Sequence, residues 1–205
     1  MTKIADHWWW RPGWGLGTRF YAFHFTFQDQ PVVQEHAAKA HARLEGLPGL
    51  DLVPGQWLHL TTQGIGFADK VSDDDLNAIT SAARRYLATV APVPVSVGPP
   101  VVASEGIACW VGPDKALDPA RDAIRAAIAD VWGSDHVPEG PSWAPHVSVA
   151  YSNVSGPADV YESALDSQAS AASVTLGAAQ LIRLGRDRRV YEWDTIATLP
   201  LGGRA

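Results

Sequence analysis

Cysteine is almost missing from this chain: Cys109 stands alone among 205 residues. No disulfide can form within the chain, metal sites built from clustered thiolates are excluded, and a reducing, cytoplasmic setting is expected. Positive charge is also scarce. Sixteen Lys and Arg face 22 Asp and Glu, giving a net charge of −6 and a pI near 5.6. That balance excludes a broad basic surface for long nucleic acid, so any nucleic-acid partner should be short or terminal. No run of eighteen apolar residues occurs, so no membrane span is expected. Low-complexity tracts and flexible linkers are absent as well. With 46% hydrophobic residues, the chain is long enough to bury the core of one domain.

Aromatic residues are plentiful. Nine tryptophans are spread along the chain, three of them consecutive at Trp8-Trp9-Trp10. The first residues lack both a long apolar stretch and a small-residue cleavage site, so they do not read as a secretory signal. Residues 1–17 read as an aromatic arm, either packed on the body or acting as a lid near a ligand. Residues 18–199 read as a single domain of two intertwined lobes.

Periodicity orders that domain. Residues 18–27 alternate, with Tyr21, Phe23, Phe25 and Phe27 on one face and Phe20, Ala22 and His24 on the other, which predicts a strand. Pro31 opens a helix to about residue 44. A strand follows over 56–62, then a helix from the Asp73-Asp74-Asp75 run to about residue 90, where the acids cap a helix. Residues 92–100 read as an edge strand, because they mix valine with proline. A strand over 107–111, a helix over 118–133, a loop over 134–145 and a strand over 146–151 come next. A helix over 157–168 precedes two strands, 173–184 and 190–199, around a turn at 185–188. Strands and helices thus alternate twice in similar order. The spacing predicts an α+β fold of two pseudo-symmetric lobes with facing sheets.

Each half carries the same short pattern inside a strand: His59-Leu60-Thr61 and His146-Val147-Ser148. Residues two apart share a strand face, so each imidazole lies beside its own hydroxyl while Leu58, Leu60, Val147 and Val149 point to the core. Two imidazoles are the groups needed to cleave a phosphodiester by acid-base catalysis, one removing a proton from the nucleophile and the other protonating the leaving oxygen. Thr61 and Ser148 would donate to the non-bridging phosphate oxygens. This arrangement requires no metal.

The segments His59-Leu60-Thr61-Thr62-Gln63-Gly64-Ile65-Gly66-Phe67 and Pro145-His146-Val147-Ser148-Val149-Ala150 resemble the two His-x-Thr/Ser motifs of the two-histidine (2H) phosphoesterases, and specifically bacterial 2′-5′ RNA ligases or cyclic phosphodiesterases. The resemblance covers about residues 18–199; Ser148 stands where threonine is commoner, and the tryptophan-rich arm is not part of the pattern. It implies two lobes with antiparallel sheets around a V-shaped cleft, helices outside, no cofactor, catalytic roles for His59 and His146, and phosphate-binding roles for Thr61 and Ser148. Implied activities are opening or hydrolysis of 2′,3′-cyclic phosphate or 2′-5′ bonds in a small nucleotide or an RNA terminus. A monomer is expected. The alternatives are a nucleotide- or RNA-end-binding module of the same fold without turnover, and a partner-binding protein that uses the aromatic arm.

Three further residues are candidates for substrate contact: His24, on the more polar face of its strand, Trp57, which shares parity with His59, and Trp143, just before the second motif. Each is also readable as a structural residue. Tyr151 shares parity with Val147 and Val149 and is expected in the core unless a bulge intervenes. His7, His36, His41 and His136 are assigned to the surface. Arg183, Arg186, Arg188 and Arg189 read as a solvated hairpin tip, with phosphate steering as the rival.

Overall fold

The computed structural model describes residues 2–138, 143–166 and 168–202. In chain order its elements are β1 (Lys3–Ile4), β2 (Phe20–Thr26), α1 (Pro31–Leu44), β3 (Leu50–Leu52), β4 (His59–Phe67), α2 (Asp73–Leu87), β5 (Val93–Ala103), β6 (Gly106–Gly112), α3 (Asp118–Trp132), β7 (His146–Ser152), β8 (Gly156–Pro157), α4 (Asp159–Ala164), β9 (Ala172–Leu176), β10 (Ala178–Gly185) and β11 (Glu192–Pro200). Part of the loop foreseen before β7 and part of the helix foreseen over 157–168 lie outside the described residues.

Two larger antiparallel sheets form the body. One has the order β11-β10-β2-β4 and the other β3-β7-β6-β5-β9, while β1 and β8 make a two-stranded pair. The expected α+β fold with two antiparallel sheets is therefore present, and the two histidine motifs lie on different sheets, in β4 and β7. The apolar face of β2 (Tyr21, Phe23, Phe25) joins Leu58, Leu60, Val147 and Val149 in the core. At the start of α2, Ser72 accepts a bond from the Asp75 amide at 3.0 Å, so the aspartate run does sit in a capped first turn.

The lobes are interleaved in sequence. Helices α2 and α3 pack together and cover the four-stranded sheet, whereas α1, which follows β2, crosses to the five-stranded sheet. There His36 Nε2 donates to the Gly98 carbonyl at 2.8 Å and His41 Nε2 to the Val149 carbonyl at 2.8 Å. His36 is buried and His41 half-buried, so both depart from the surface expectation; His136 alone of this group is exposed. The residues read as one strand over 173–184 divide at Gly177: β9 pairs with β5 in one sheet and β10 with β2 in the other. Strand β5 is not an edge strand but lies between β6 and β9. Pro99 and Pro100 are accommodated because its register against β6 shifts between Val97 and Pro100, where the ladder is already broken; Pro94 lies before the stretch paired with β6.

One bulge has a direct effect on the cleft. Ile107 pairs with Ala150 but Ala108 with Ser148, so Val149 is an extra residue in β7. The shift turns Tyr151 onto the face of His146 and Ser148, as the bulge exception allowed, while the residue stays buried in the core cluster. Opposite the bulge stands Gly106, where a Cβ would lie 2.2 Å from the Ala150 carbonyl oxygen. Gly106→Ala should therefore cost about 1–3 kcal/mol or more through backbone displacement. Chemical denaturation checks this, and an unchanged midpoint would mean that the bulge does not depend on the glycine.

Candidate functional site

His59 follows a tight turn, Gly55–Trp57, and is the first residue of β4. Its Nδ1 donates to the Trp57 carbonyl at 2.8 Å. His146, the first residue of β7, makes the same bond to the Ala144 carbonyl at 2.9 Å. A carbonyl can only accept, so both rings carry a proton on Nδ1, and Nε2 is the nitrogen left for proton transfer. Both imidazoles, Thr61 and Ser148 line one cavity of about 740 Å³ between the two sheets.

The four motif residues are therefore brought together. His24 also lines this cavity. It is only 1% exposed, lies parallel to the His59 ring at 4.6 Å, and its Nε2 is 3.3 Å from the Thr61 hydroxyl. Its Nδ1 is buried without a partner. A buried acceptor lacking a partner is tolerated better than a buried N–H lacking one. That favours the Nε2–H form, in which His24 donates to Thr61 and leaves the hydroxyl proton free to point elsewhere.

Trp57 and Trp143 stand apart from the cavity lining. Trp57 belongs to the turn before β4 rather than to the strand, so strand parity does not apply to it; it packs edge-on against Trp193 at 4.7 Å. Trp143 donates from Nε1 to the Thr61 carbonyl at 3.0 Å and lies beneath the Arg121 guanidinium at 5.1 Å. It braces β4 from outside the cleft.

The site is electrostatically asymmetric. Burial pushes His59 down to about 4; its bond to the Trp57 carbonyl opposes the shift, and the His146 charge adds to it. Burial, helped by His59, also holds His24 well below its ordinary value. His146, in contrast, is exposed at the mouth, with the half-exposed Trp110 ring edge-on to it at 5.7 Å.

Several lining residues escaped the sequence reading. Tyr151 enters through the bulge; burial raises its phenol first, Tyr191 adds to that, and a bond from Ser148 opposes it. Trp110 was accessible from parity alone, since Ile107, Cys109 and Val111 point inward. His7, Arg11 and Trp14 reach the cavity from the arm. His7 is half-buried, not on the surface, with Nδ1 2.9 Å from Glu105 and Nε2 3.0 Å from the Tyr191 hydroxyl. Burial and the nearby Arg11 pull it down to about 4, against the opposing pull of Glu105. In the hairpin, Arg183, Arg188 and Arg189 are exposed as read, but Arg186 is only 3% exposed. It is held by the arm, whose indole rings cover its guanidinium. Among the described residues no group of three or more His, Cys, Asp or Glu is placed to hold a metal ion, and no helix is long and apolar enough to cross a membrane.

No curated protein sequence matches this chain. Among solved structures, TT0787 of Thermus thermophilus is similar with a TM-score of 0.67 at 16% identity, over 92% of this chain and 100% of that one. LigT of E. coli in its apo form is similar with a TM-score of 0.66 at 14% identity, over 91% and 99%. LigT solved with 3′-AMP gives a TM-score of 0.64 at 14% identity over the same shares. At these identities the likeness establishes the fold. The family profile described as "2'-5' RNA ligase superfamily" matches residues 30–188, a span that holds both histidine motifs, and the chain accordingly belongs to that superfamily of 2H phosphoesterases.

Proposed function

We propose that this protein is a metal-independent phosphodiesterase that opens 2′,3′-cyclic phosphates, or hydrolyses 2′-5′ phosphodiester bonds, on nucleotides or RNA ends. The observation that carries the reading is the pair of imidazoles, each tied through Nδ1 to the carbonyl two residues before it and each with a hydroxyl beside it on the same cavity. The likeness to LigT, solved with 3′-AMP and with NADP+, supports a small nucleotide as ligand. Both motifs belong to one chain, which supports a monomer, and the single cysteine supports a reducing compartment such as the cytoplasm.

The asymmetry of the site supports a division of roles. His59, kept neutral by burial, takes a proton from water at Nε2 as the water oxygen bonds to phosphorus. The bond from phosphorus to the ribose oxygen breaks, and that oxygen receives the Nε2 proton of protonated His146. Turnover leaves His59 protonated and His146 neutral, and exchange with solvent restores both. Thr61 and Ser148 donate to the non-bridging oxygens and stabilise the charge that builds there. His24 acts through Thr61 as a positioning residue: with Nε2–H engaged on Oγ1, the Thr61 proton is directed at phosphate.

Replacement of either imidazole, His59→Ala or His146→Ala, should lower kcat on adenosine 2′,3′-cyclic phosphate by about 10²- to 10⁴-fold in a protein that still melts cooperatively. Chromatography of the product reads this, and full activity in either variant refutes the paired mechanism. Retained nucleotide binding by a wild type without turnover would instead identify a binding module.

For the free enzyme kcat/KM should hold down to about pH 5 and fall through about 4, where His59 takes up its proton. An acid limb centred near the ordinary histidine value of 6.5 would contradict the assignment of His59 as base.

Stability should follow the same groups. His7 and His59 lie near 4 in the folded protein against 6.5 ordinarily, so the unfolded chain binds protons first as pH falls. Their contribution is complete above about 6.5 and lost by about 4. Urea midpoints measured across that window should decline, and a flat profile would show that the two rings titrate normally.

A further inference from the structure

The arm lies outside residues 30–188, the part of the chain matched to the superfamily, yet it forms one end of the cleft. The strand registers give the direction. On the four-stranded sheet the pairs run from Thr61 with His24, through Gly64 with Ala22, to Phe67 with Phe20. On the other sheet they run from His146 with Trp110, through Ser148 with Ala108, to Tyr151 with Gly106. Both walls thus leave the imidazoles, pass small residues and reach an aromatic section. The arm stands there. Trp14 packs on Phe20 at 5.8 Å and on Phe67 at 5.6 Å, while His7 stacks on Tyr151 at 4.2 Å.

This end wall is firmly fastened. Glu105 accepts from His7, from Arg11 and, at 3.4 Å, from Trp9. The buried Arg186 donates to the carbonyls of His7 and Trp9 at 3.1 and 3.2 Å, and its guanidinium lies over the rings of Trp8, Trp10 and Trp14 at 5.1, 5.8 and 5.8 Å. Trp8 Nε1 donates to Asp51 at 2.8 Å, and the His7 amide to the Ser152 carbonyl at 2.8 Å. At the opposite end, His146 and Trp110 are open to solvent.

We infer that the arm ends the cleft one nucleotide away from the imidazoles, so that the substrate is a nucleotide-sized cyclic phosphate and not the cyclic end of an RNA chain. The inference rests on the phosphodiesterase reading for the identity of the reacting group and on the arm alone for the size limit. A nucleoside whose phosphate lies between His59 and His146 occupies the aromatic section, where flat rings offer stacking surfaces. A strand continuing from its 5′ oxygen would have to displace Trp14 and pull His7, Trp9 and Arg11 from Glu105. The positive charge at that end is already engaged, Arg11 by Glu105 and Arg186 by the arm carbonyls and indole faces. The cavity of about 740 Å³ falls in the range of small-ligand sites.

The test compares adenosine 2′,3′-cyclic phosphate with a triadenylate ending in the same cyclic phosphate, in the wild type, Trp14→Ala and Glu105→Ala. The wild type should favour the mononucleotide in kcat/KM by at least about tenfold, and the variants should narrow that ratio. Equal kcat/KM in the wild type, or an unchanged ratio in both variants with cooperative melting intact, overturns the inference. Calorimetric binding of 3′-AMP and of a triadenylate 3′-phosphate to the wild type reads the size limit without turnover and without any variant having to fold. A size preference in binding with no hydrolysis of either substrate sinks the phosphodiesterase reading and leaves the wall standing. Equal binding of the two, or binding of neither, sinks the wall whatever the turnover.

Discussion

A single hydrogen bond, made twice, orients the chemistry of this cleft. In β4 and again in β7 the first residue is a histidine whose Nδ1 donates to the carbonyl two positions earlier. The bond fixes both the ring's orientation and its tautomer. Without it an imidazole could present either nitrogen, and its lone pair would not be committed to the cleft. Because the donor and acceptor are so close in the chain, the tie needs only the two residues that precede each strand's histidine. What the tie does not provide is convergence, which depends on the two strands belonging to facing sheets.

Convergence is built by devices remote from the histidines. Helix α1 leaves one lobe to cover the other, where His36 and His41 donate to Gly98 and Val149. These carbonyls lie at the register shifts of β5 and β7, and the Val149 carbonyl accepts from the Val53 amide at 2.9 Å as well. His41 thus supports the bulge that turns Tyr151 into the cleft, and Gly106 leaves room for it. Two histidines on a helix, useless as a metal pair, serve the site by satisfying backbone. The same economy of buried polar groups explains Arg186. Among the described residues no carboxylate is a hydrogen-bond partner of Arg186; instead, carbonyls of the arm accept from it and indole faces cover it.

The contrast between His59 and His146 follows from where the strands begin. His59 is buried under Trp193 and Tyr191, so its charged form is penalised. His146 sits at the open mouth. Two identical side chains in equivalent motifs thereby differ chiefly in solvent access, which supports the different roles proposed for them.

Much of this was legible beforehand. The alternation in residues 18–27 marked the apolar face of β2, Pro31 and the aspartate run marked two helix starts, and the repeated His-x-Thr/Ser pattern identified the four residues that share the cavity. Those features are local, since strand parity, capping and motif chemistry are set by neighbours within a few positions. Tertiary structure decided the rest: the break at Gly177 that sends β9 and β10 to different sheets, the bulge that turns Tyr151, the turn that removes Trp57 from strand parity, and the packing of the arm, which half-buries its own His7 and buries Arg186. Each of these depends on which distant backbone a residue meets. Period-two patterning is blind to that, because one extra residue or one change of sheet leaves the composition untouched while moving a side chain to the other face.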